Sequence, residues 1–132
     1  MTAALSVENL SKSFPDAAEE VHAVIDVTLE IAGGEFVALR GPSGCGKSTL
    51  LMAAGGLLEP SGGSVSVLGT DLYSLSQDGR ARFRAENIGF VFQQFHLIPY
   101  LDVRDNILAA SLATGAGDEE RANKLLEHFG LT

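Results

Sequence analysis

Phe36-Val37-Ala38-Leu39-Arg40-Gly41-Pro42-Ser43-Gly44-Cys45-Gly46-Lys47-Ser48-Thr49-Leu50-Leu51 is the stretch that decides how this chain folds. Phe36 to Leu39 is apolar at every position, without the alternation of a half-buried strand. A short run of this kind, followed by glycine, predicts a strand covered on both faces, as in an α/β sheet. Ser48 to Ala54 reads as a helix that stops near Gly55-Gly56. Between the two, Gly41, Gly46, Lys47 and Ser48 satisfy the pattern G-x-x-x-x-G-K-[ST]. The pattern alone is suggestive; a buried strand entering it and a helix leaving it is the setting it requires.

The residue types fit one chemistry, the binding of a nucleoside triphosphate, ATP first among them. Gly41, Gly44 and Gly46 let the backbone take conformations that a Cβ forbids and approach a ligand closely. The free N–H groups opening the next helix, with its dipole, offer positive potential to phosphates. Lys47 is placed to reach the β- and γ-phosphates and the Ser48 hydroxyl to ligate Mg²⁺. Thr49 adds an α-phosphate contact, while Pro42, Ser43 and Cys45 complete the loop, Cys45 through its backbone N–H. The bland alternative is a plain glycine-rich turn, and the flanks argue against it.

Working outward, Leu5 to Leu10 alternates as a half-buried strand, and Val27, Leu29 and Ile31 form another against Thr28 and Glu30. Asp16 to Glu20 between them is an acidic solvated loop, and Gly33-Gly34 makes a turn. Glu59-Pro60-Ser61-Gly62-Gly63 is a turn cluster before an alternating strand, Ser64 to Leu68, and Pro60 to Gly63 within it reads as a hairpin turn. Ser74 with Gln77 suits a capping box for a short basic helix carrying Arg80, Arg82 and Arg84. Ile88 to Phe92 is a further buried-strand candidate. Asp102 and Asp118 are predicted N-caps of two helices, the second placing Ala122, Leu125, Leu126 and Phe129 on one face and ending at Gly130.

Composition narrows the function classes. The 132 residues read as one domain, and 45% apolar with 20% charged residues is ordinary for a globular protein. Nine Lys and Arg against seventeen Asp and Glu give a net charge of −8. With no basic stripe, a general nucleic-acid partner is excluded, and any bound anion has to be held by a local device. The single cysteine, Cys45, cannot pair within the chain, which suits a reducing cytoplasm. The apolar run Leu50 to Leu58 is far short of the ~20 residues that cross a bilayer, so no direct membrane insertion is expected.

With the loop placed, the chain resembles the nucleotide-binding subunit of ABC transporters. Gly41 to Leu51 is similar to that family's Walker A, and Ile88-Gly89-Phe90-Val91-Phe92-Gln93-Gln94-Phe95-His96-Leu97-Ile98-Pro99 to its Q-loop segment, a more specific match. Phe14 stands where the family keeps an aromatic that stacks on adenine; as a plain core residue it is equally well explained. The Val21-His22-Ala23 lead-in and the long Q-loop strand are similar to the branch of lipoprotein release, macrolide export and cell division. The resemblance implies a P-loop NTPase fold of the α/β class, ABC ATPase type, with an antiparallel β subdomain. By position, Gln93 is implied to touch Mg²⁺ and the attacking water, against the alternative of a Gln that simply ends a strand. Phe95, Leu97, Ile98 and Tyr100 are implied to dock a transmembrane permease, against the alternative that they pack into the chain's own core. Further implied partners are a second nucleotide-binding subunit, ATP and Mg²⁺. The implied location is cytoplasmic, peripheral to the membrane through the permease.

The family also resembles itself in a Walker B strand ending in Asp with a catalytic Glu after it, a Leu-Ser-Gly-Gly-type signature and a switch His. None is found here. Asp102 follows a run broken by Pro99, Asp118-Glu119 follows the loop Gly115 to Gly117, and Pro60 to Gly63 echoes the signature only before the Q-loop. His22, His96 and His128 have no metal-ligand spacing, and His128 suits a helix C-terminus. The expectation is an N-terminal half of such a domain, with a β subdomain starting over 1–35 and strand, loop and helix over 36–56. A β/α segment then runs over 57–92 and a helical subdomain starts over 93–132. Without a Walker B strand beside Phe36 to Leu39, an apolar face stays uncovered, and marginal stability or aggregation is expected.

Overall fold

Alternating apolar residues carry two long strands, β1 (Ala3–Phe14) and β2 (Val21–Ala32), joined through the exposed acidic loop. In the computed structural model, which describes residues 3–112 and 118–132, these pair antiparallel. β3 (Gly62–Val67) and β4 (Thr70–Asp71) complete a four-stranded sheet in the order β2-β1-β3-β4. Val7, Leu10, Val65 and Leu72 are fully buried along it, and α1 (Lys47–Ala54) packs on β1 and β2 with Ala53 fully buried. Both long strands carry a bulge. Asn9 and Asp26 have φ of 48° and 49°, and the ladder bonds lost there are replaced by hydroxyls: Asn9 N donates to Thr28 Oγ1 and Asp26 N to Ser11 Oγ, each at 2.9 Å. Leu68 and Gly69, φ 50° and 80°, form the two-residue turn between β3 and β4.

The expected antiparallel subdomain and loop-to-helix passage are present, and both strands are longer than the alternation predicted. Four expectations need correction. Phe36 to Leu39 is not a strand among the described residues. Val37 and Leu39 line a cavity of about 70 Å³ against Leu5, Leu29, Leu50 and Ala54, while Phe36 is 95% exposed. A run apolar on both faces becomes a strand only when neighbours supply ladder bonds and two covers, and here one cover is present. Ile88 to Phe92 is likewise no strand, with Val91 fully exposed. Pro60 to Gly63 is no hairpin turn, because the segment joins α1 to β3 and Gly62-Gly63 already belong to β3. The capping box at Ser74 is displaced: helix α2 (Gln77–Asn87) takes its cap from Ser76, whose Oγ accepts from Gly79 N at 3.1 Å. Ser74 Oγ instead donates to Asp71 O.

The chain divides into two compact units, Met1–Ala81 and Arg82–Thr132. In the second, α3 (Val103–Ala109) and α4 (Glu119–His128) are capped as expected: Asp102 Oδ1 accepts from Asp105 N and Asp118 Oδ1 from Arg121 N, both at 2.8 Å. Ala122 and Leu126 of α4 are buried, whereas Leu125 and Phe129 of the same predicted face are exposed. Gly130 follows α4 at φ 65°. The loop predicted from Gly115 to Gly117 lies outside the described residues.

Candidate functional site

Gly46 sets the loop. It is the N-cap of α1 at φ 95°, and a Cβ on it would stand 2.1 Å from the Ala23 carbonyl oxygen of β2. Glycine alone lets the loop seat this closely on the sheet. Gly44 is also left-handed, φ 78°, but in open space. Cys45 N donates to Pro42 O at 3.3 Å and closes the turn. The Lys47 ammonium lies across the loop mouth, donating to Gly41 O and Pro42 O at 2.8 Å each, with Cys45 Sγ at 3.5 Å. Ser43 and Ser48 are exposed and Thr49 half-buried.

The N-terminus of α1 differs in kind from the others described. It has no side-chain cap and no acidic residue in its first turn. α2 has Ser76 and Asp78, α3 has Asp102 and Asp105, and α4 has Asp118, Glu119 and Glu120. Its orphan N–H groups and positive dipole end are thus unneutralised by side chains among the described residues, as an anion site requires. A cavity of about 440 Å³ adjoins the loop and is lined by His22, Val24, Leu39, Arg40, Cys45 and Lys47. Arg40 and Lys47 make this region locally basic in a chain of net charge −8. Sequence reasoning passed over Arg40, whose only signal is its place directly before Gly41.

Among the described residues no group of three or more His, Cys, Asp or Glu side chains is placed to hold a metal. The donor available for Mg²⁺ at this loop is the Ser48 hydroxyl, so the ion fits as a companion of a triphosphate that supplies the other oxygens.

Phe14 ends β1 opposite Val21, two residues from the Ala23 on which Gly46 rests. It is 37% exposed, with Lys12 Nζ 5.1 Å from its ring centroid, so it is no part of the buried core. The first unit therefore gathers Phe14 and the whole loop Gly41 to Thr49, whereas Gln93 and Phe95 to Tyr100 belong to the second.

In that second unit Gln93 occupies an exposed bend. It is flanked by Phe90 stacked on Phe92 at 5.6 Å and by His96 edge-on to Phe92 at 4.9 Å. His96 holds φ 50°. Phe95, Leu97 and Tyr100 are 89%, 66% and 86% exposed. Of the two readings for these residues, core packing does not hold for the three. Ile98 is half-buried beside a cavity of about 360 Å³ lined by Leu97, Pro99, Leu101, Val103 and Ile107. Asn106 pins this loop: its Oδ1 accepts from Ile98 N at 2.8 Å, and its Nδ2 donates toward Ile98 O, Leu101 O and Asp102 O at 2.9–3.2 Å. No described helix is long and apolar enough to cross a membrane.

The chain is similar to known proteins. The family model described as ABC transporter matches residues 24–132. The lipoprotein-releasing system ATP-binding protein LolD 1 of Rhodopirellula baltica is 44% identical over 97% of this chain and 57% of its own length. The macrolide export ATP-binding/permease protein MacB of Salmonella choleraesuis is 38% identical over the whole chain and 21% of its own length. A dimeric ATP-binding cassette in a post-hydrolysis state, bound to ADP and phosphate, superposes with a TM-score of 0.85 at 37% identity, over 93% of this chain and 54% of that one. The chain thus spans about half the length of the first of these relatives and of that structure, and a fifth of MacB. The runs that lack ladder partners here, Phe36 to Leu39 and Ile88 to Phe92, lie within the matched stretch. An unneutralised helix end behind a glycine loop, seated on an antiparallel sheet and matched over most of its length, places this chain in the ABC transporter family as an ATP-binding component with the P-loop NTPase fold.

Proposed function

We propose that this chain forms part of an ABC transporter subunit that couples ATP binding and hydrolysis to a membrane-embedded permease. The observation that carries the reading is the N-terminus of α1, left without acid or side-chain cap behind the loop on which Lys47 is folded. A triphosphate there gains the N–H groups of the first turn, the dipole end and the Lys47 ammonium. Lys47 already faces two carbonyl oxygens, so it can turn to β- and γ-phosphate oxygens at little cost in desolvation. Gly41, Pro42, Ser43, Gly44, Cys45 and Gly46 supply backbone, Ser48 the Mg²⁺ ligand, Thr49 an α-phosphate contact and Phe14 a face for adenine. Mg²⁺, when bound, neutralises phosphate charge.

Gln93 is proposed to orient the attacking water and report the nucleotide state. The exposed residues Phe95, Leu97 and Tyr100 are proposed as the permease contact, and the subunit is proposed to lie at the cytoplasmic side of the membrane. A second nucleotide-binding subunit is supported by the dimeric cassette that this chain is similar to. The names of the relatives point to lipoprotein release or macrolide export as the branch. Within these 132 residues no Walker B carboxylates follow an apolar strand, so the part of the reaction they carry by themselves is nucleotide binding.

Calorimetric titration of the chain with Mg-ATP tests this. Lys47→Ala is expected to weaken binding at least about tenfold, the loss of a charge-assisted contact of ~1.5–3 kcal/mol. Equal affinity of Lys47→Ala and the parent chain would refute the phosphate-loop reading, and turnover abolished by the same change would refute the restriction to binding.

A further inference from the structure

We infer that Lys12 is a positioning residue for the nucleotide base: its ammonium holds Phe14 in the orientation in which the ring stacks on a purine. This rests on the proposed reading of the loop and of Phe14. Lys12 and Phe14 are two residues apart on β1, so they share one face of the strand. Lys12 Nζ stands 5.1 Å from the ring centroid, over the face. The ion pairs among the described residues are Arg104–Glu119 and Lys124–Glu120, so no described carboxylate draws Lys12 to this place. The neighbouring acid, Glu20, is engaged instead by the Ser13 hydroxyl. The ring is what holds the ammonium.

Two consequences follow for a ligand. Phe14 is the last residue of its strand and 37% exposed; with the cation on one face, the ring offers a base the other. The cation also draws electron density from the ring, which favours stacking by an electron-rich purine on the opposite side. Placement agrees: Phe14 lies opposite Val21, two residues along β2 from Ala23, on which Gly46 rests. Two residues span ~7 Å of strand, so phosphates at the α1 N-terminus bring the nucleoside toward the Phe14 end of the sheet.

The test compares Mg-ATP with inorganic tripolyphosphate, which has no base, on the full chain and its Lys12→Met, Lys12→Arg and Phe14→Ala variants. Lys12→Met is expected to weaken ATP about two- to fivefold, the span of an exposed cation–π contact. Tripolyphosphate affinity is expected to stay unchanged, which also shows that the variant is folded, and Lys12→Arg is expected to keep the affinity for ATP. Equal losses for both ligands would make Lys12 a general attractor of phosphate and overturn the inference; so would no loss for either. Tripolyphosphate binding with ATP affinity unaltered by Phe14→Ala would overturn it while leaving the phosphate loop standing. Failure of the parent chain to bind either ligand would sink the proposed function and this inference together.

Discussion

Replacing Gly46 by alanine adds one methyl group at the point where the loop meets the sheet. The residue holds φ 95°, and the new Cβ would stand 2.1 Å from the Ala23 carbonyl oxygen, where ordinary contact begins at 3.4 Å. Strand β2 or the loop must therefore yield by about 1.3 Å. The oxygen belongs to backbone on a strand paired with β1 on both sides of it, at Val24–Lys12 and His22–Ser13, so it cannot swing aside as a side chain would. The left-handed conformation costs a non-glycine residue ~1–2 kcal/mol, and forcing a methyl into a packed contact costs a further ~1–3 kcal/mol. The sum, about 2–5 kcal/mol, is a large part of the stability of an ordinary domain. Gly44→Ala is the control. It sits at φ 78° with nothing within 4 Å of its Cβ, so it carries the conformational term alone. Equilibrium urea unfolding of the two variants separates the contributions, and Mg-ATP titration of each reads the loop. Gly46→Ala is expected to be the less stable by ~1–3 kcal/mol and to lose ATP affinity beyond Gly44→Ala. Stabilities within about 0.5 kcal/mol of each other, the scatter of surface substitutions, would refute the account of how the loop is seated.

Other consequences are simpler to check. Ser76→Ala removes the cap of α2 and is expected to cost about 1 kcal/mol, whereas Ser74→Ala leaves the helix capped; urea unfolding with helix content as the probe ranks them, and a larger effect at Ser74 would restore the capping box there. Asn106→Leu keeps volume but strips the Ile98 N–H of its partner and is expected to cost ~1–3 kcal/mol; amide exchange at Ile98 should accelerate, and unchanged protection would deny Asn106 its hold on the loop. Phe36 and Val91 are almost wholly exposed, so the chain is expected to self-associate in solution through them. The double variant Phe36→Ser/Val91→Ser should raise the monomer fraction in sedimentation velocity, and an unaltered distribution would locate the contact elsewhere.

Much of the site is legible in the order of residues alone. The Gly41 to Thr49 loop needs local conformations that only particular residues supply, so spacing suffices to find it. The helix following it, the caps Asp102 and Asp118 and the alternation of β1 and β2 are equally local, each set by a backbone N–H seeking an oxygen or by one strand face meeting a core. Phe36 to Leu39 and Ile88 to Phe92 read as buried strands for the same kind of reason and are not, because a strand is a relation between segments. Its ladder bonds and covers come from neighbours elsewhere, and no run of residues contains them. The cap of α2 moved by two residues because Ser74 and Ser76 are equivalent as side chains, and only the path of the chain after β4 determined which hydroxyl met Gly79 N–H. The Ala23 oxygen under Gly46 is of the second kind. These residues, distant in order, were brought within contact by the packing of α1 on two strands, and tertiary structure alone made neighbours of them.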